Sequence, residues 1–338
     1  LETNDIKVLL YTGSEKLLSK SGIGEAIRHQ KKMLEALEIS YTENTNEDYD
    51  VVHLNTVLPD SFWMAKKARS KGKKVIYYGH STMEDFRNSF RGSNLVAPAF
   101  KKWLELCYRQ GDIIITPTAY SKNLLLRYAI NRPIVSLSNG VDTTFFAKKA
   151  AYAKRFREQY ALSQDQKVVM SVGHLIDRKG VTDFIDLAKI FPQYTFFWFG
   201  HTPKSLMTPA VQKAIAQASD NLHFPGYISA EELRDAYSGS DLFLFMTYEE
   251  TEGIVLLEAL ANETPVLVRD IPIYQEWLKE GKSVYKAKVQ DDFERKLPMI
   301  LEGELPSLTQ AGLQEARALD LKAVSLDLAK IYQQLFYL

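Results

Sequence analysis

Two carboxylates and two adjacent cations, each set where an apolar strand gives way to a helix, are the side chains of this sequence best placed to do chemistry. The stretch Met246-Thr-Tyr-Glu-Glu-Thr-Glu-Gly-Ile-Val-Leu-Leu-Glu-Ala-Leu260 starts in an apolar run, 242–246, that reads as a buried strand, and ends in a helical run, 254–261. Seven residues separate Glu250 from Glu258. One carboxylate therefore falls in the turn and the other about one turn inside the helix, and both can face one cleft. Strand-to-helix junctions of this kind gather helix N-termini and loop backbones at the carboxyl end of a sheet, where ligands bind in open α/β folds. The second constellation is Arg178-Lys179, which follows the strand-like run 167–175 with its Ser171-Val172-Gly173 and precedes Gly180. A planar guanidinium fork beside a point charge, at a strand end, suits the neutralisation of a diphosphate leaving group.

Three smaller signals belong to the same end of the same kind of sheet. His80 closes the strand-like run 74–79 and precedes Ser81-Thr82, a position from which its ring reaches a cleft. Ser21-Gly22-Ile23-Gly24 lies between a first strand, 6–11, and an amphipathic helix from Glu25 to Leu37, so backbone N–H groups near Gly22 and Gly24 can face a phosphate. A third glycine at the dinucleotide spacing is missing. Asp48-Tyr49-Asp50 has metal-binding spacing but opens its strand, the wrong end for a ligand, and reads as a turn. No metal is expected.

These junctions need a frame of alternating strands and helices, and the chain supplies one twice: strands near 6–11, 49–55, 74–80, 112–117 and 134–138, then near 167–175, 194–200, 222–228, 242–246 and 265–269. The expected class is α/β, two doubly wound domains. At 338 residues the chain exceeds the size at which one core keeps growing. A composition of 46% hydrophobic and 25% charged residues is ordinary for a globular protein. No apolar run approaches the roughly 20 residues of a membrane-spanning helix. No signal peptide is read at the start, and Leu1-Glu2 is set aside as a processing remnant. A single cysteine, Cys107, excludes an internal disulfide framework and a thiolate metal cluster, and fits a reducing compartment.

The net charge of zero conceals an uneven distribution. Residues 1–150 carry 22 basic and 16 acidic side chains, a surplus of +6 that the remainder cancels, and 61–132 alone holds 14 basic against 4 acidic. Within that field Phe86 and Phe90, and likewise Arg87 and Arg91, stand one helical repeat apart. The next helix carries Phe100, Trp103, Leu104, Cys107 and Tyr108 on one face, with Lys101 and Lys102 beside it. An amphipathic surface lying in an anionic bilayer explains the aromatic and basic pairs together. Nucleic acid also suits the charge, but no recognition motif accompanies it, and none is expected as a partner.

The wording of the Glu-x7-Glu segment, ending Leu-Leu-Glu-Ala-Leu, resembles the donor motif of the retaining glycosyltransferase family 4, with the GT-B fold of two Rossmann-like domains facing each other across a cleft. Within that family the Ser-Gly-Ile-Gly and Glu-Glu-Thr-Glu-Gly-Ile wording is similar to bacterial enzymes that add a second hexose to monoglycosyl diacylglycerol. The resemblance implies that one glutamate reaches the donor sugar and Glu258 the ribose hydroxyls. The commoner family form is Glu-Gly-Phe-Gly. An ungapped count back from Glu258 places Glu250 at the sugar position and Thr251 at the first glycine, with Glu252 as a rival. It further implies donor contacts from Gly22, Gly24, Gly173, Arg178, Lys179, Thr251, Gly253 and Ile254, and a contact from His80 to the donor sugar or acceptor.

On this basis 1–145 is expected to bind the acceptor and dock on membrane, and 146–318 to hold the nucleotide-sugar. Residues 319–338 form a helix crossing back, Asn139-Gly140-Val141-Asp142 is the interdomain turn, and the polar stretch after it is the linker. The expected activity is metal-independent transfer of glucose or galactose from a UDP-sugar, with no cofactor, to monoglucosyl diacylglycerol. The expected location is cytoplasmic, peripheral on the inner face of the cell membrane. The rival readings are a family-4 enzyme acting on a capsular or cell-wall saccharide, a sugar-nucleotide epimerase, and a nucleotide-sugar-binding protein without turnover.

Overall fold

The computed structural model describes residues 6–13 and 22–337. Its first half runs β1 (Lys7–Tyr11), α1 (Gly22–Ala36), β2 (Ser40–Thr42), β3 (Val51–Leu54), α2 (Pro59–Ser70), β4 (Lys74–Tyr78), α3 (Met83–Phe86), α4 (Ser93–Tyr108), β5 (Ile113–Thr116), α5 (Ala119–Leu125) and β6 (Ile134–Ser136). The second half repeats the alternation with α6 (Ala150–Gln159), β7 (Val168–Val172), α7 (Val181–Ile190), β8 (Thr195–Phe199), α8 (Pro209–Ala216), β9 (Leu222–Gly226), α9 (Ala230–Gly239), β10 (Leu242–Phe245), α10 (Ile254–Ala261), β11 (Val266–Arg269) and β12 (Tyr285–Ala287). Three helices close the chain: α11 (Gln290–Leu301), α12 (Thr309–Ala318) and α13 (Leu321–Tyr337).

Strands pair in parallel in two six-stranded sheets, ordered β2-β1-β3-β4-β5-β6 and β12-β11-β10-β7-β8-β9. Helices cover both faces of each sheet, so strands such as Val-Val-His-Leu of β3 and Thr-Phe-Phe-Trp-Phe of β8 are buried at every position. The doubly wound architecture expected from the sequence is present in both halves. In each, the order reverses beside the first strand, with β1 lying between β2 and β3, and β7 between β8 and β10. Such switch points open a crevice at the strands' carboxyl ends.

Several elements differ from the sequence reading. The stretch read as a linker contains α6, a polar helix whose one buried side chain, Phe156, meets Phe197 edge-on; its apolar signal is too sparse to register as a period. Between β11 and β12 the chain makes only a 3-10 turn, Pro272–Tyr274. Strands β2 and β12 are three residues long, too short to show alternation. Helix α3 stops after four residues because Arg87 turns extended, at ψ 146°. Asn88 and Gly92 then take positive φ, so the chain bends sharply before α4.

The closing helix α13 returns to the first sheet. Val324, Leu328, Ile331 and Leu335 pack with Val8, Leu10 and Ile76, while Tyr332 Oη bonds the buried His53 Nε2 at 2.7 Å. A backbone bridge between Val141 and Asp320, and the Thr143 hydroxyl donating to Asp320 Oδ2 at 2.6 Å, hold the point where the chain crosses back. Burial rather than helix propensity keeps α13 in place, since its apolar stripe has no other partner. Leu328, fully buried, tests this: Leu328→Ala is expected to cost about 2–5 kcal/mol in urea unfolding. A loss below 0.5 kcal/mol would mean that α13 is a detachable tail.

Candidate active site

Lys179 and Glu250 meet because a glycine allows two loops to touch. At Gly180 φ is +74°, and a Cβ there would lie 2.3 Å from the Met246 carbonyl oxygen. Only glycine satisfies both conditions. The 3-10 turn Asp177–Lys179 after β7 is thereby pressed on the end of β10, where the Tyr248 N–H donates to the Arg178 carbonyl at 2.8 Å. Lys179 Nζ consequently bonds Glu250 Oε1, and the Thr247 hydroxyl donates to the same oxygen at 3.0 Å. The Arg178 guanidinium stands 3.9 Å from that carboxylate.

Burial pushes the Glu250 carboxyl up, but the Lys179 and Arg178 charges outweigh it and hold the group below its ordinary value. Lys179 is lowered by the same burial, against the pull of Glu250. Gly173 flanks them; a Cβ on it would rest 3.5 Å from Lys179 Cδ. Among the described residues, no group of three or more His, Cys, Asp or Glu side chains is placed to hold a metal ion.

The next turn of the motif starts α10. Gly253, at φ +89°, is its N-cap, and Ile254 is its first residue. Glu258 lies one turn along, only 3% exposed, and accepts from Tyr237 Oη at 3.0 Å. Burial, with the charge of Glu25 on α1, pushes its pKa up to about 8. Glu25 directly follows Gly24, so the first turn of α1, which contains Gly22 and Gly24, faces this end of α10; Ser21 lies outside the described residues.

Glu250 and Glu252, which the spacing left as rivals, have different surroundings. Glu252 turns to the interdomain segment, where it accepts from the Asn139 side chain at 2.7 Å, from the Asn139 N–H at 3.1 Å, and from the Ser138 hydroxyl. Burial moves it to about 7 in spite of those donors. Glu250 alone of the two faces the cations.

On the opposite wall, His80 is oriented by a buried polar chain. His53 Nδ1 faces Gln30 Oε1 at 3.3 Å, the Gln30 amide donates to Asn55 Oδ1 at 2.6 Å, and His80 Nε2 lies 2.9 Å from the same Asn55 oxygen. With the Asn55 amide donating to Gln30 at 3.0 Å, its oxygen must accept, which assigns the proton of His80 to Nε2 and leaves Nδ1 an acceptor. Burial lowers His80 to about 4, so the ring is neutral at pH 7.

The two walls touch. Arg178 donates from Nε to Ser89 Oγ at 3.0 Å, from its backbone N–H to the Asn88 carbonyl at 3.0 Å, and pairs through Nη1 with Asp85 at 2.9 Å. Tyr120 Oη donates to Glu249 at 2.8 Å, and the Thr118 hydroxyl to the Thr251 carbonyl at 2.9 Å. Burial moves Glu249 up to about 7. Asp85, Ser89, Tyr120 and the Gln30–Asn55 pair carry no spacing signal; an acid in the first turn of a helix, as Asp85 is, reads as an ordinary dipole partner.

The surface assigned to membrane needs correction. Phe86 and Phe90 do not share a helix, Phe86 stacks on Phe100 at 4.2 Å between centroids, and Arg87 and Arg91 straddle the bend. Lys101 covers the Tyr128 ring at 4.5 Å, and half-buried Trp103 donates to the Val57 carbonyl at 2.7 Å. Outward on α4 stand instead Leu95, Ala99, Lys102 and Leu106, recurring every three or four residues, with Leu95 86% exposed. Among the described residues, no helix is long and apolar enough to cross a membrane.

Known proteins resemble this chain in sequence and in fold. Residues 153–317 match the family Glycosyl transferases group 1, and residues 24–145 match Glycosyltransferase Family 4. The processive diacylglycerol alpha-glucosyltransferase of Acholeplasma laidlawii is 40% identical over 330 residues, covering 97% of this chain and 98% of that one. The alpha-galactosylglucosyldiacylglycerol synthase of Streptococcus pneumoniae is 26% identical, over 81% of this chain and 75% of that one. Among solved structures, Anabaena HepE in complex with UDP-glucose superposes with a TM-score of 0.72 at 16% identity, over 97% of this chain and 100% of that one, a likeness of fold. Similarity along almost the full length, over two Rossmann-like halves with a charged cleft between them, means that the chain belongs to the retaining family-4 glycosyltransferases of GT-B fold.

Proposed function

We propose that this enzyme transfers a hexose, with retention, from a UDP-sugar to monoglucosyl diacylglycerol at a membrane surface, forming a diglycosyl diacylglycerol. The observation that carries the reading is the buried Arg178, Lys179 and Glu250 group at the ends of β7 and β10, in a chain so similar to a diacylglycerol glucosyltransferase. Arg178 and Lys179 neutralise the diphosphate as its bond to the anomeric carbon breaks, and the N-terminus of α1 at Gly22 and Gly24 approaches it from the other wall. Glu250 accepts from donor-sugar hydroxyls, Glu258 from the ribose diol, and the backbone around Thr251, Gly253 and Ile254 lines the donor. With its Nδ1 lone pair, His80 accepts from a sugar hydroxyl. The acceptor hydroxyl attacks on the face the diphosphate leaves, and a departing phosphate oxygen takes its proton. No side chain has to serve as the base, and the two cations supply the positive charge that a metal provides in other transferases.

The membrane-facing surface in this reading is the outer stripe of α4. Beside it, Trp63 on α2 is 64% exposed, with Lys66 Nζ 5.6 Å from its ring centroid. Apolar side chains flanked by lysines suit the interface of an anionic bilayer, each basic residue there contributing about 1 kcal/mol. An acceptor anchored by its acyl chains then presents only its sugar to the cleft.

Three measurements check this. Lys179→Ala and Arg178→Ala should each lower kcat at saturating UDP-sugar by about 100-fold or more, with the fold intact by circular dichroism; unchanged turnover removes the pair from the mechanism. Glu250→Gln should lower kcat at least tenfold, whereas Glu252→Gln should act on thermal stability, and the reverse ranking would move the sugar contact to Glu252. In sedimentation with vesicles of rising phosphatidylglycerol content, Leu95→Ser/Leu106→Ser should weaken binding at least fivefold. Binding indifferent to lipid charge and to this double substitution would point to a soluble saccharide acceptor.

A further inference from the structure

We propose that Asp85 is the ligand of the acceptor sugar, paired with Arg178 before the donor binds and released to the incoming hexose when the donor diphosphate takes that arginine. The inference rests on the UDP-hexose reading above and adds to it an acceptor determinant and an order of binding.

The geometry singles out Asp85 among the acids of the first half. Its neighbour Glu84 is engaged within its own wall, accepting from Tyr128 Oη at 2.8 Å. Asp85 instead reaches across the cleft to Arg178 Nη1 at 2.9 Å, and its carboxylate also feels the charges of Glu250 and Lys179. It therefore stands on the acceptor wall, directly opposite the group that handles the donor. Its backbone N–H is taken by the Thr82 cap at 3.0 Å, and its side chain turns to Arg178.

A diphosphate that settles on Arg178 competes with the carboxylate 2.9 Å from its Nη1, because two anions in direct contact with one guanidinium repel each other. Arg178 keeps its contacts to Ser89 Oγ and the Glu249 carbonyl, which are uncharged and compatible with an added anion, while Glu250, 3.9 Å away, is paired more closely with Lys179. Asp85 is the contact that has to yield. Once displaced, it is a buried carboxylate short of donors in a cleft receiving a sugar, and hexose hydroxyls supply the donors it then lacks. The same wall offers the neutral His80 as an acceptor besides, so the pair selects a ligand rich in O–H groups and rejects one carrying negative charge. Donor binding thereby creates the acceptor site, and the donor enters first.

Two effects of opposite sign follow from one isosteric change. In Asp85→Asn, UDP alone, titrated calorimetrically into the full chain, should bind at least threefold more tightly, because its competitor for Arg178 is gone. The same variant should lose at least tenfold in kcat/KM for monoglucosyl diacylglycerol in vesicles, tested with both UDP-glucose and UDP-galactose, while KM for the donor does not rise. Ser89→Ala, which removes an uncharged contact to the same guanidinium, should not tighten UDP binding. Weaker or unchanged UDP binding in Asp85→Asn, unaltered acceptor kinetics, or equal tightening in Ser89→Ala would each overturn the proposal while leaving transfer by the parent enzyme intact. A parent chain that neither binds UDP nor glycosylates the lipid would instead overturn the function on which it rests.

Discussion

Two cations held side by side between two sheet edges are the constraint around which this structure is arranged. Arg178 and Lys179 are nearly buried, and a buried charge is tolerable only with a partner and well-formed hydrogen bonds. In the empty cleft those partners are Glu250, from the same half of the chain, and Asp85, from the other. Such pairs add little to stability, since desolvation opposes the attraction. Their value in the proposed mechanism lies in preorganisation: the positive charge is oriented in advance for a leaving diphosphate, and no reorganisation is required during the reaction.

Backbone economy makes that orientation possible. Gly180 and Gly253 occupy left-handed positions at the starts of α7 and α10, and the first lets the turn after β7 lie against the β10 backbone. Without this approach the cations would stand away from Glu250. The carboxylates of the motif then differ because their neighbours differ. Glu250 has cations and stays ionised, whereas Glu252 and Glu258 have neutral donors and rise to about 7 and about 8. One short segment thus presents an anion to the cations, fastens the interdomain turn through Glu252, and keeps at Glu258 a carboxyl that a diol can satisfy.

The acceptor wall is built by longer-range means. A polar chain from Tyr332 on α13 through His53, Gln30 and Asn55 ends on His80, and it sets both the ring orientation and the tautomer. The last helix of the chain therefore supports a residue near its first quarter. Opposite to the cleft, the bend at Asn88 and Gly92 turns α4 so that its outer stripe faces away from the protein, while Asp85 and Ser89 just before the bend face inward. The exposed apolar stripe and the residues that meet Arg178 are thus a few positions apart on one continuous segment.

Local periodicity and spacing were sufficient for the alternation of strands and helices, for the doubly wound class, and for placing Arg178-Lys179 and the glutamate motif each at a strand end, because these rest on patterns within single strand-turn-helix units, whereas the contact between the two was made by the fold. The same reasoning saw α13 as an amphipathic helix, its return to the first half being implied by the family resemblance. It could not see α6, whose buried face is one phenylalanine, or strands of three residues. It also placed Phe86 and Phe90 on one helix, since i and i+4 spacing carries no notice of a break after four residues. The environments of Glu250 and Glu252, the tautomer of His80 and the pairing of Asp85 with Arg178 were decided by tertiary structure alone. They depend on groups up to 279 positions apart, within one half for Glu250, on the first sheet with α13 folded back for His80, and across the cleft for Asp85 with Arg178, and charge and burial at such contacts are properties of the assembled protein.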